Sequence, residues 1–304
     1  LMNRTAQTQT ETQMNAEKPV ASSGGLPGRL RLRSSQLPMH ALLWAYVVLV
    51  LFPLVWLLLS SFKTNREITV NTWALPKRLD FANYKAAWET AHIGTYALNS
   101  LFVTLAACFL TLLLSSATAF ALSRMTFKGL SKRVYAFVLL GLIVPPSAVF
   151  IPLYQLVTDI HLINTLRSLI LVYCTYALPI TIFILHAFMQ SIPRELEEAG
   201  IMDGLEAAGL FARIILPITV PALVTVFILA FIGNWNEYIF SQLFVTSESL
   251  RTLPTGMATF NDGYRTNFAS LSAAVIISII PVLAVYMFLQ RQIIDGMTAG
   301  SVKG

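Results

Sequence analysis

The chain has 304 residues, 56% of them hydrophobic and only 12% charged, with a formal net charge of +6. Soluble domains run about 45–50% apolar and about 25% charged, so this composition excludes a soluble globular fold. The positive balance fits basic loops beside anionic lipid and requires no nucleic-acid partner.

Residues 1–37 are polar, rich in Thr, Gln, Ser and Gly and without apolar periodicity, which predicts a disordered tail. The remainder, 38–304, reads as one membrane domain. A spanning helix needs roughly 20 mostly apolar residues. Six windows qualify: about 41–60, 97–122, 134–157, 168–190, 215–236 (or on to 245) and 271–290. Arg29, Arg31 and Arg33 give the first run the basic start of a signal peptide. The run is too long for one, and no small-residue cleavage site follows, so it reads as a retained anchor. Pro53, Pro145, Pro146, Pro152, Pro179 and Pro281 fall within the windows, and each removes a helix hydrogen bond. The stretch VPPSAVFIP, 144–152, therefore predicts a bend or break in the third span. The other prolines read equally as ordinary kinks or as marks of helices that rock around a pathway.

Orientation follows from Lys and Arg near the span ends. Arg124, Lys128, Lys132 and Arg133 crowd the second connection, Arg194 and Arg213 the fourth, and Arg291 and Lys303 the tail. The third connection has Arg167 alone, and the fifth has Arg251 and Arg265. The expected fold is an all-α polytopic membrane protein of six transmembrane helices with both termini cytoplasmic. The first connection, about 61–96, argues the other way with Lys63, Arg66, Lys77, Arg78 and Lys85. Most of those charges lie far from a span end, where they weigh less. Cys108 and Cys174 fall inside spans, and His40, His92, His161 and His186 show no ligand spacing, so neither a disulfide framework nor a metal site is expected.

Two polar stretches stand out. In the fifth span GNWNEY, 233–238, places a carboxylate in or near the bilayer, where such groups usually face the bundle interior or water. Either Trp235 is an interfacial anchor with Glu237 out in water, or Asn234, Trp235, Asn236 and Glu237 line the route of a polar solute. A sugar suits the second reading, because aromatic faces pack on its C–H face while amides and carboxylates bond its hydroxyls. The fourth connection, 191–217, holds Glu195, Glu197, Glu198, Asp203 and Glu206, a third of the 15 acidic residues. Pro193 is expected in the first turn of a helix, with the glutamates behind it near the positive end. Asp203-Gly204 predicts a break. A second short helix over about 205–215 would place Leu205, Ala208, Gly209 and Ala212 on one smooth face, and Pro217 would reset the chain for the next span. The segment reads as a docking knob for a basic surface, or as a solvated linker.

The order Glu198-Ala199-Gly200, three residues, Gly204, nine residues, then Ile214-Ile215-Leu216-Pro217 is similar to the EAA loop of ABC importer permeases, E-A-A-x3-G-x9-I-x-L-P. Gly200 stands where that pattern has its second Ala, and Gly weakens a helix by about 1 kcal/mol relative to Ala. Trp235-Asn236-Glu237, Thr252-Leu253-Pro254 with Gly256, Phe81-Ala82-Asn83-Tyr84 and the tail from Asp295 to Gly304 resemble the carbohydrate-uptake branch, in particular the smaller permease subunit of maltose-transporter type.

The resemblance implies type I ABC importer permease architecture with a core over 95–291, in a prokaryotic cytoplasmic (inner) membrane. It implies a second permease as partner in a pseudo-twofold heterodimer, two ATP-binding subunits, and an extracytoplasmic sugar-binding protein. The coupling loop, 191–217, would engage an ATP-binding subunit through Glu195, Glu198, Ala199, Gly200, Asp203, Gly204, Ile214, Leu216 and Pro217. Glu198 would face a basic partner there, and Gly204 would form the turn. The chain has no G-x-x-x-x-G-K-[ST] loop. ATP and Mg are accordingly expected on the partner, with no catalysis, cofactor or metal on this chain. The alternatives are an ion-coupled secondary transporter or an intramembrane enzyme. Apart from Glu237 and His186 the spans offer no group for either, and Ile182 and Gln190 flank His186 at four residues.

Overall fold

The computed structural model describes residues 37–89, 92–125, 127, 129–260 and 267–301, with side chains described as far as 290. The expected tail therefore lies outside the described residues, apart from Leu37. The chain divides into two units, 1–52 and 53–304. Every regular element among the described residues is helical.

Helix α1 (Leu37–Ser61) carries no charged side chain and stays helical through Pro53. The connection after it is built by side chains reaching backbone groups. Thr64 and Glu67 form a capping box that starts α2 (Asn65–Val70). Lys63 is buried, and its ammonium donates to the Thr72 carbonyl at 2.9 Å. One of the basic charges that argued against the orientation is thus consumed inside the fold. At the start of α3 (Ala82–Glu89) the Asn83 amide donates to the carbonyls of Ser61 and Lys63 at 2.8 and 2.7 Å. Tyr84 shares a hydroxyl hydrogen bond of 2.7 Å with Ser61. That is the work of Phe81-Ala82-Asn83-Tyr84: it ties the connection back to the end of α1.

The centre is a long helix, α4 (Ile93–Arg124), laid along α7 (Leu166–Gln190). Its buried positions include Tyr96, Ser100, Val103, Ala107, Thr111, Ser115 and Ala119, recurring every three or four residues. Small residues dominate that stripe because close backbone approach, not hydrophobic exclusion, drives helix association in lipid. Between α4 and α7 the expected third span, 134–157, is two pieces: α5 (Leu130–Leu140) and α6 (Phe150–Asp159), separated by turns and a 3₁₀ segment at Pro146–Val149. Pro145 and Pro146 supply no N–H there, so the helix cannot run through.

After α7 come α8 (Glu195–Met202), α9 (Ala207–Leu210) and α10 (Leu216–Ile218), then α11 (Val220–Trp235), α12 (Ile239–Phe244), α13 (Leu253–Met257) and α14 (Phe268–Ser301). The fifth apolar run ends as a continuous helix at Trp235, and its extension towards 245 is the separate α12. Four helices among the described residues are long and apolar enough to cross a membrane, or five if Ala207–Ile218 and Val220–Trp235, bent by 75°, count as one. The six spans read from the sequence become four uninterrupted helices, one bent pair and, as expected at 144–152, one split segment. Pro53, Pro179 and Pro281 sit inside continuous helices, whereas the double proline breaks one.

Candidate functional site

The acidic segment hangs from the ends of α4 and α7. Pro193 stands ahead of α8 rather than in its first turn, with Arg194 as N-cap. Glu195, Glu197 and Glu198 fill that first turn, against the positive end of the helix. The helix stops at Gly204, whose φ is +80°. The Gly204 N–H donates to the Ile201 carbonyl and the Leu205 N–H to the Gly200 carbonyl, both at 2.9 Å. This pair of bonds is a Schellman cap, and it needs a left-handed residue at this place. A side chain there would cost about 1–2 kcal/mol, the physical reason for a glycine.

Beyond the turn, α9 widens into a π-helical stretch, Phe211–Ile215, before α10 closes it. Pro217 lies within α10, and the 75° corner falls two residues later, at Thr219. Pro221 has no N–H for the Pro217 carbonyl, so the ladder breaks here. The expectation that Pro217 itself resets the chain is corrected accordingly.

Glu195, Glu198, Ala199, Asp203, Gly204 and Pro217 are exposed, while Ile214 and Leu216 are half-buried behind them. Gly200 is buried. A Cβ on it would come within 2.5 Å of Ile214 Cδ1 and 2.7 Å of Leu210 Cδ2. Gly200 therefore marks where the two short helices touch each other, not their outer surface. The face expected from Leu205, Ala208, Gly209 and Ala212 also divides, with Leu205 and Gly209 half-buried and the two alanines exposed. The outward surface gains Leu196, Ile201 and Met202, the last 87% exposed. Exposed carboxylates set among apolar and small side chains can accept charge-assisted hydrogen bonds from Arg or Lys while letting a partner approach closely.

One pair at this site was not singled out from the sequence. Arg124, the last residue of α4, pairs its Nη1 with Glu197 Oε1 at 2.6 Å, the side chains being 5% and 16% exposed. Its Nη2 donates to the Ile192 carbonyl at 2.8 Å and also to that of Met189. Sequence reasoning counted Arg124 as a topology charge and Glu197 as one more surface carboxylate. The available signal was slight: Arg124 is the cation in the last turn of a long span.

At the far end of α11 the GNWNEY residues separate. Glu237 accepts from the Tyr173 hydroxyl at 2.7 Å and from the Phe240 and Ser241 N–H groups at 2.8 and 3.2 Å, so it caps α12. Trp235 is buried, donates its indole N–H to the Ser278 carbonyl at 3.1 Å, and stacks on Phe231. The Asn236 amide turns back to the Ile232 carbonyl at 2.9 Å. Asn234 and Glu237 line a cleft of about 400 Å³ with Phe150, Tyr173, Tyr176 and Phe240; Trp235 and Asn236 do not. The interfacial-anchor reading of Trp235 does not describe a ring so enclosed.

A family model described as "Binding-protein-dependent transport system inner membrane component" matches residues 112–298, well over half of the chain. The chain belongs to this family. It is 37% identical over 263 residues to the probable ABC transporter permease protein YurM of Bacillus subtilis (strain 168), across 86% of this chain and 87% of that one. It is 35% identical over 266 residues to the diacetylchitobiose uptake system permease protein NgcG of Streptomyces coelicolor, across 87% and 88% of the two chains. A solved bacterial ABC transporter involved in the import of the acidic polysaccharide alginate has the same fold, with a TM-score of 0.75 at 22% identity over 88% of this chain and 99% of that one.

This permease is thus a multi-pass membrane subunit of a transport system, which sets aside the ion-coupled carrier and the intramembrane enzyme. The matched stretch takes in both α8–α10 and the Glu237 corner. The permease's Thr252-Leu253-Pro254 and Gly256 prove to be packing residues. The Leu253 N–H donates to Ser100 Oγ at 2.7 Å, and the Thr252 hydroxyl to Ser241 Oγ at 2.8 Å. Gly256 lies against the ring of Tyr96, where a Cβ would meet Cδ2 at 2.0 Å.

Proposed function

We propose that this permease carries a sugar or oligosaccharide, handed over by an extracytoplasmic binding protein, and that the loop 191–217 couples it to a separate ATP-hydrolysing subunit. It crosses the inner membrane six times with both termini cytoplasmic, the third span broken at Pro145-Pro146 and the fifth entered through the corner at Thr219. Its transport core runs over 95–291. A second permease completes a pseudo-twofold heterodimer, and ATP and Mg belong to two partner subunits. Asn234 and Glu237 border the route of the sugar through their aromatic cleft, with Trp235 and Asn236 supporting that corner.

The observation that carries this reading is the exposed face of α8. It presents Glu195, Glu198 and Asp203 beside Leu196, Ile201 and Met202 on a helix whose inner side is locked against its own chain. A solvated linker has no need of either the lock or the apolar exposure. The diacetylchitobiose named for NgcG supports the sugar class. Tagged in its native membrane and purified in mild detergent, the chain is expected to bring a second permease and an ATPase. ATP hydrolysis is expected to rise when a sugar and its binding protein are added. A chain that emerges alone and without hydrolysis, from an extraction known to keep such complexes whole, would overturn the proposal.

A further inference from the structure

We infer that Arg124 is a positioning residue that makes the coupling loop and the α4–α7 pair one mechanical body, so that displacement of the loop is delivered to the membrane helices through the Arg124–Glu197 ion pair. The inference rests on the coupling reading above and adds the element within this chain that receives the motion.

Arg124 gathers three pieces of chain at one guanidinium. It is the last residue of α4. Its Nη2 reaches the carbonyls of Met189, at the end of α7, and Ile192, in the turn that follows. The Met189 carbonyl belongs to the last turn of α7, at the helix's negative end, where a cation is favoured. Its Nη1 holds Glu197 in the first turn of α8 at 2.6 Å.

The three first-turn glutamates of α8 therefore have two different roles. Glu195 and Glu198 face outward, whereas Glu197 is turned inward and largely buried. An apolar cluster backs the ion pair: Ala119 and Phe120 of α4, Leu185 and Met189 of α7, and Leu210 and Ile215 from the loop's second half. Phe120 also packs its ring on Phe211 at a centroid distance of 5.1 Å. Such packing alone lets surfaces slide. A buried ion pair whose guanidinium also holds two backbone carbonyls fixes their register, because any slip leaves a charge without its partner.

The test uses the assembled complex of both permeases and the ATPase, reconstituted in vesicles, with ATP hydrolysis and sugar uptake measured together. Glu197→Ala is expected to leave the complex hydrolysing ATP while uptake per ATP falls by about tenfold or more, within the usual range of coupling between sites. Arg124→Ala should do the same, and the double variant should be no worse than the poorer single one. Arg124→Lys keeps the charge but not the fork of donors and should recover part of the ratio. A merely structural role would lower the yield of assembled complex and leave the ratio unmoved. Because the ratio is read on assembled complexes, folding losses drop out, and the isosteric Glu197→Gln provides a second route if the alanine variant does not assemble. An unchanged ratio in assembled Glu197→Ala and Arg124→Ala, with Glu197→Gln read in place of the former if it does not assemble, would overturn the inference. If Glu198→Lys uncouples transport while the Glu197 variants do not, only the latch has failed. If neither Glu198→Lys nor any Glu197 or Arg124 variant uncouples, the coupling reading has failed with it.

Discussion

Reversing the charge at Glu198 (Glu198→Lys) is expected to cut sugar uptake by about tenfold or more while leaving the chain folded in the membrane. Glu198 is exposed in the first turn of α8 and forms no ion pair among the described residues, so its loss opens no hole in this chain. Its energy is realised only against a partner. A hydrogen bond to a charged group contributes about 1.5–3 kcal/mol, or roughly ten- to hundredfold in affinity, before the repulsion between a new Lys and a basic cleft is counted. Two readouts check the expectation: the amount of ATPase that copurifies, and uptake at matched expression. Full uptake by Glu198→Lys would remove Glu198 from the coupling surface.

The second large effect lies at the other end of the molecule. Gly256→Val is expected to prevent stable folding of the permease. A Cβ at 256 would stand 2.0 and 2.5 Å from Cδ2 and Cε2 of Tyr96, a ring 1% exposed at the head of α4. The ring has little room to retreat, because its hydroxyl bonds Glu248 at 3.2 Å and its neighbours Ile93, Leu253 and Phe231 are buried in the same cluster. Overpacking of this kind costs about 1–3 kcal/mol, and two valine methyls added to the Cβ put the site at the upper end or beyond. The expected signs are low yield and loss of protease resistance, with partial recovery when Tyr96→Ala is added. A Gly256→Val permease as protease-resistant as the parent would show that α13 can move aside.

Both variants rest on motifs visible in the sequence, yet the packing role of Gly256 could not be read from its motif. The loop was legible because its physics is local. Asp203-Gly204 had to be a turn, and the Schellman cap shows why; three glutamates at a helix start had to lie near its positive end. The broken third span was legible for the same reason, since two adjacent prolines settle the matter without any neighbour.

What escaped was whatever depended on a partner far along the chain. Gly200 looked like a surface substitution, but it faces Ile214 and Leu210 across the turn. Glu197 could not be told from Glu198 until Arg124, more than seventy residues earlier, was seen beside it. Trp235 and Glu237 invited a common role from adjacency, whereas α12 recruits the carboxylate and α14 takes the indole. Thr252-Leu253-Pro254 and Gly256 look like a loop motif, and only the packing of Tyr96 explains the glycine.

If the face of α8 meets the ATP-hydrolysing subunit, a photo-cross-linker at position 202 will reach it. Met202 is 87% exposed at the tip of α8 and carries none of the internal bonds described above, so a replacement there leaves the loop intact. In complexes that hydrolyse ATP, illumination should join this chain to the ATPase subunit. The same probe at Phe109, an exposed position in the middle of α4, should not. A hydrolysing complex that yields no ATPase adduct from position 202 would mean that the face of α8 does not meet the ATPase.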